Sequence, residues 1–159
     1  MSEIIKQKVY NARVVLMEIS PPHLEAFDHV GFLQNTIESI PGLSFANANL
    51  YFYFFNPSHD DFFMDEDFWI AREVIGHHEF NDDDELDVFD LEQGDSFKVK
   101  IDLDMNGPES FEKICQYEKH FRSEISEKVA LAPTWRLSFP WTNTFSGSIY
   151  LEFFPKVDG

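Results

Sequence analysis

The stretch FANANLYFYFF, residues 45–55, decides the fold. Ala46, Ala48, Leu50, Phe52 and Phe54 alternate with Phe45, Asn47, Asn49, Tyr51, Tyr53 and Phe55. A period of two is that of a β-strand, whose successive side chains point to opposite faces. The first set is wholly apolar and suits packing under helices. The second carries rings with polar handles.

Upstream, Leu24, Phe27, Val30, Leu33, Ile37 and Ile40 recur at three- and four-residue spacing, which predicts an amphipathic helix over 22–40. Ser20, Pro21 and Pro22 suit its start, and Pro41-Gly42 its end. Before it, residues 6–19 read as one strand, apolar on both faces at Val14, Val15, Leu16 and Met17. Residues 5–56 thus form a β-α-β unit.

The pattern returns downstream. Phe97, Val99, Ile101, Leu103 and Met105 alternate with Lys98, Lys100, Asp102 and Asp104 along a strand over 96–105. Asn106-Gly107-Pro108 opens a helix whose stripe is Phe111, Ile114, Cys115, Phe121, Ile125 and Val129. Trp135, Leu137, Phe139 and Trp141, then Ile149, Leu151 and Phe153, mark two further strands joined by a turn at 142–147. The expected fold class is α+β, ferredoxin-like: duplicated β-α-β units, a mainly antiparallel sheet and helices on one face. One domain spans 1–159, with an acidic insertion over 57–95 and a second unit plus an extra C-terminal strand over 96–155. Within the insertion, 66–75 reads as a short helix ending at Gly76, and 86–91 as an edge strand.

Charge is concentrated. Residues 59–104 hold seventeen acids against Arg72, Lys98 and Lys100, in a chain of formal charge −17. Such a field bears on partners and association rates, not on fold. A pI near 4.5 disfavours direct nucleic-acid binding, which needs clustered Lys and Arg, and disfavours anionic membranes. For the same reason Tyr51, Tyr53 and Phe55 are not read as a base-stacking face. With 43% hydrophobic residues and 18 Phe the chain can pack a core. No apolar run reaches the roughly 20 residues of a membrane helix. Met1 to Lys8 carry neither an apolar h-region nor a small-residue cleavage site, which disfavours secretion by a signal peptide, and a lone Cys115 suits a reducing cytoplasm.

The expected function is therefore an acidic protein-binding inhibitor of a basic protein, either an immunity-type toxin inhibitor or a nucleic-acid mimic directed at a nuclease. Its partner-binding residues would be Asp60, Asp61, Asp65, Asp67, Asp82, Asp83, Asp84 and Glu85, with Phe62, Phe63, Phe68 and Trp69 as aromatic anchors. An alternative is a small-molecule-binding or catalytic domain with a pocket of Tyr51, Tyr53, Trp135 and Trp141.

A third reading is a weak divalent-cation module. Asp102, Asp104, Asn106 and Gly107 match the opening of a calcium loop, but Lys113 stands where its bidentate Glu belongs. His77-His78-Glu79 and His59-Asp60-Asp61 match no zinc spacing. No nucleophile elbow or glycine-rich phosphate loop occurs, so nothing requests an enzyme or a cofactor. Cys115 fits a small buried hydrophobe.

Overall fold

A computed structural model describes residues 4–19, 26–57, 68–79, 86–101, 110–140 and 149–156. The elements are β1 (Ile4–Val9), β2 (Ala12–Ile19), α1 (Ala26–Ser39), β3 (Ser44–Phe45), β4 (Asn49–Phe54), β5 (Phe68–Ile75), β6 (Asp87–Leu91), β7 (Gly94–Ile101), α2 (Ser110–Ser126), β8 (Leu131–Pro140) and β9 (Ile149–Pro155). The class is α+β: among the described residues, an antiparallel sheet with two helices.

The sheet order is β1-β7-β9-β8-β4-β5-β2-β6, with β3 pairing β5 beside β4. At its middle β4 pairs β8 antiparallel. On either side the pairings correspond: β4·β5, β5·β2 and β2·β6 match β8·β9, β9·β7 and β7·β1. α1 leads through the short β3 into the central strand β4 and α2 leads into β8, and each of these central strands pairs with the next strand of the chain. This differs from the ferredoxin-like β-α-β expectation.

Connectivity bends the sheet. β1 and β2 are separated by five strands in the order but by only Tyr10 and Asn11 in the chain. In a flat sheet they would stand about 29 Å apart at ~4.8 Å per step, whereas that connection reaches about 11 Å. The two arms must therefore curl towards each other. Phe89 of β6 accordingly touches Tyr53 of β4, ring centroids 5.3 Å apart, although β5 and β2 intervene in the order.

The convex face carries the main core. Val15, Met17, Leu50, Phe52, Phe54, Phe68, Ile70, Trp135, Leu137, Phe139, Leu151 and Phe153 form one cluster with Val30, Leu33 and Ile37 of α1 and Ile114, Cys115, Phe121 and Ile125 of α2. Trp135 stacks on Phe54 at 4.1 Å and donates Nε1–H to the Asn56 carbonyl at 3.0 Å, so its one polar group is satisfied in the interior. Arg122 on α2 pairs with Glu118 at 2.5 Å and donates to the Ala132 carbonyl at 2.9 Å, tying the helix to β8.

Several expectations are corrected. Residues 68–75 form the sheet strand between β4 and β2 rather than a helix in an insertion. Its apolar residues Phe68, Ile70 and Val74 alternate into the core, and burial of that face outweighs the helix signal. The strand expected over 6–19 is broken at Tyr10-Asn11. Ala46 and Ala48 are exposed: Asn47 Oδ1 accepts the Asn49 N–H at 2.9 Å, making a bend before β4. The expected turn at 142–147 lies outside the described residues.

Candidate functional site

The concave face is where the sequence signal was misread. Strand positions between core residues look solvent-facing, but here they turn into the trough formed by the two arms. Register places Lys98 opposite Glu152 on β7·β9, Glu152 opposite Arg136 on β9·β8, and Arg136 opposite Tyr53 on β8·β4. These four form one row across the sheet.

Arg136 is the hub. It is 5% exposed and Glu152 is 1% exposed. Its Nε donates to Glu152 Oε1 at 2.6 Å, and Nη1 donates to Tyr53 Oη at 2.7 Å and Glu73 Oε1 at 3.1 Å. The guanidinium also lies over the Tyr51 ring at 4.3 Å and near the Phe154 ring at 5.5 Å. Glu73 Oε2 accepts from Asn47 Nδ2 at 3.1 Å, and Glu152 Oε2 from Gln7 Nε2 at 3.4 Å. Buried charges persist when paired and hydrogen-bonded in this way.

Burial alone would raise the Glu152 carboxyl, but the Arg136 charge and hydrogen bond outweigh it and hold the carboxyl below the usual range. Burial also pushes the Tyr53 hydroxyl well above its ordinary value, against the opposing pull of Arg136. Tyr51 is raised too, chiefly by burial. At neutral pH Arg136 and Glu152 on the floor are therefore charged and the Tyr51 and Tyr53 phenols neutral.

Over this floor lies a cavity of about 460 Å³, lined among others by Gln7, Tyr51, Glu73, Lys98, Arg136 and Glu152. That volume falls within the ~300–1,000 Å³ of small-molecule sites. Tyr10 and Ile75, both largely exposed, stand on its apolar side.

The residues singled out from the sequence fare differently. Phe68 is fully buried in the convex core beside Phe52 and Phe54, at 5.2 and 5.6 Å, so it cannot anchor a partner. Trp69 packs edge-on against Phe55 at 4.8 Å on the concave face. Asp60, Asp61, Phe62, Phe63, Asp65, Asp67, Asp82, Asp83, Asp84 and Glu85 lie outside the described residues, as do Asp102, Asp104 and Asn106.

The aromatic pocket does not assemble. Tyr51 and Tyr53 face the trough, Trp135 faces the opposite core, and Trp141 lies outside the described residues. His77 contacts Arg13 through Nδ1 at 2.6 Å; Arg can only donate, so this nitrogen is the acceptor. Among the described residues no group of three or more His, Cys, Asp or Glu could hold a metal ion. Among them, too, no helix is long and apolar enough to cross a membrane.

No protein-family model matches this sequence, and no curated protein does. Solved structures do match. The chain is similar to EcmrR as seen by cryo-electron microscopy with DNA in the EcmrR-RPo assembly, with TM-score 0.69 and 12% identity. That match covers 98% of this chain, which spans 58% of the length of EcmrR there. The EcmrR C-terminal domain matches with TM-score 0.63 and 8% identity, over 98% of both chains. A putative bacterial transcription regulation protein from Staphylococcus aureus MU50 matches with TM-score 0.55 and 11% identity, over 98% and 99%.

These findings correct the functional expectation. The fold is shared with domains of transcription regulators, so the reading as an immunity-type or nucleic-acid-mimicking inhibitor is withdrawn. The expected partner, a basic protein with no nucleic acid involved, is withdrawn with it, because a protein of this fold stands in a complex with DNA. The physical reason lies in Phe68 and Trp69: rings counted as partner anchors belong to a sheet strand.

Proposed function

We propose that this chain is a ligand-responsive domain of a transcription regulator, folded as a single domain and working in the cytoplasm. It would convert occupation of the concave cavity into a change in a DNA-bound complex. The observation that carries this reading is the buried Arg136–Glu152–Glu73 cluster at the floor of an open cavity. Replacing such a cluster by apolar residues is often neutral or stabilising, so its presence beneath an accessible cavity argues for recognition. The likeness to the EcmrR C-terminal domain supports the regulatory half of the reading.

A thermal-shift screen of small molecules tests the binding half, comparing the wild type with Tyr51→Trp, which adds bulk to the cavity wall. Compounds that stabilise the wild type and leave the variant unmoved support it; compounds that stabilise both equally, or none at all, contradict it. For the regulatory half, the chain is fused to an unrelated DNA-binding domain at a reporter promoter. A stabilising compound should change reporter output, and unchanged output would remove the regulatory role.

A further inference from the structure

We infer that the concave cavity takes an uncharged, partly aromatic small molecule whose oxygen acceptor docks between Arg136 and Lys98. The inference rests on the ligand-binding reading above and supplies the chemical class of the ligand.

It begins with what the floor leaves unmet. Both oxygens of Glu73 and both of Glu152 already accept a hydrogen bond. Of the Arg136 nitrogens, Nε and Nη1 have acceptors, while Nη2 has none among the described residues. Lys98 is half-buried over the Tyr150 ring at 4.4 Å, and among the described residues no carboxylate lies within ion-pair distance of it. Unfilled donors in a partly desolvated site call for acceptors.

Register sets the spacing. Lys98 and Arg136 flank Glu152 from the two neighbouring strands, so their backbones lie about 10 Å apart. Both side chains line the cavity beside Glu152. A carbonyl or carboxamide oxygen there meets donors from both sides.

Charge then selects among acceptors. Arg136 and Lys98 are balanced by Glu73 and Glu152, and the other two lining cations, Lys8 and Arg13, are paired with Asp95 and Asp90 at 2.9 and 3.0 Å, so the site is close to neutral in a chain of −17. A cation would meet Arg136 Nη2 and Lys98 with carboxylates already engaged. An anion would gain two cations but face two carboxylates and the field of the whole chain. A neutral acceptor gains the donors without either cost. The apolar part of the ligand rests on Tyr10 and Ile75 at the mouth, both largely exposed.

Three probes of one shape test this: 2-naphthamide, 2-naphthoate and 2-naphthylmethylammonium, each titrated calorimetrically into the full chain. The amide should bind at least about tenfold more tightly than the ammonium, the worth of one hydrogen bond to a charged group. Lys98→Met and Arg136→Lys should each weaken the amide by about tenfold, with Lys98→Met serving if the other variant melts early. Tightest binding by the ammonium or the naphthoate overturns the inferred class and leaves the cavity a binding site. Binding of the amide unaltered by Lys98→Met also overturns it. No heat from any probe at millimolar concentration removes the binding reading itself.

Discussion

Asn11 and Gln93 stand 82 residues apart in sequence, yet the Gln93 N–H donates to Asn11 Oδ1 at 2.8 Å. Asn11 belongs to the β1–β2 connection and Gln93 to the β6–β7 connection. Both connections pass between the arms of the curled sheet, so this bond ties together the two crossings that hold the trough closed. Asn11→Ala should lower stability by about 0.5–1.5 kcal/mol, read by urea denaturation. Amide exchange should quicken at 10–11 and 92–93 before the central strands β4 and β8 are affected.

Arg136 and its two carboxylates act as a unit. Arg136→Met leaves the buried Glu152 and the part-buried Glu73 without their cation and should destabilise by about 3–5 kcal/mol. Glu152→Gln keeps the shape and removes one charge, which should cost about 1.5–3 kcal/mol. Because the two residues share one ion pair, the double variant should lose clearly less than the sum of the singles. A double-mutant cycle in chemical denaturation measures that coupling.

Acid should unfold the protein partly through Glu152. Its carboxyl is held below 4.5 in the fold, against burial, by Arg136. A lowered folded value favours the ionised form, so this contribution is complete above about 4.5 and lost as pH falls through the folded value. Tyr53 works in the opposite direction: its raised hydroxyl contributes fully below pH 10 and less as pH climbs beyond it. Melting temperatures recorded across pH should show both limbs, and Glu152→Gln should flatten the acid one.

Gly76 is a backbone requirement. It closes β5 with φ +113°, and a Cβ there would stand 1.8 Å from the Gly42 carbonyl oxygen. Gly42 itself has φ +89° in the turn after α1. Gly76→Ala therefore combines strain of about 1–3 kcal/mol with a clash against backbone, which has no side-chain freedom to yield. Its loss on thermal melting should exceed that of Gly94→Ala, where a Cβ meets nothing within 4 Å.

The sequence carried the elements further than the site. The Val30–Leu33–Ile37 stripe and the Phe97–Val99–Ile101 alternation fix a helix and a strand locally, because burial of one face determines each. β5 was missed because Phe68, Trp69 and Ile70 sit between acids and mimic a short helix. The site was missed for a topological reason. Arg136 and Glu152 occupy ordinary outward positions beside Trp135 and Phe153, and only curling of the arms makes that outward face an interior one. A charge lodged between large core residues, as in Trp135-Arg136-Leu137 and Leu151-Glu152-Phe153, was the available signal. Acid density drew attention instead to the clusters at 60–67 and 82–85, which lie outside the described residues.

The central claim is that a small molecule binds over the Arg136 guanidinium, and arginine side-chain NMR reads it most directly. In a 15N-labelled sample titrated with 2-naphthamide, the Arg136 Nε–H resonance should shift, because its neighbouring Nη2 gains an acceptor. The Arg122 resonance should stay in place, since Arg122 is bonded to Glu118 and Ala132 on the α2 side of the sheet. A titration that moves Arg122, or moves neither resonance while calorimetry records binding, would contradict the account.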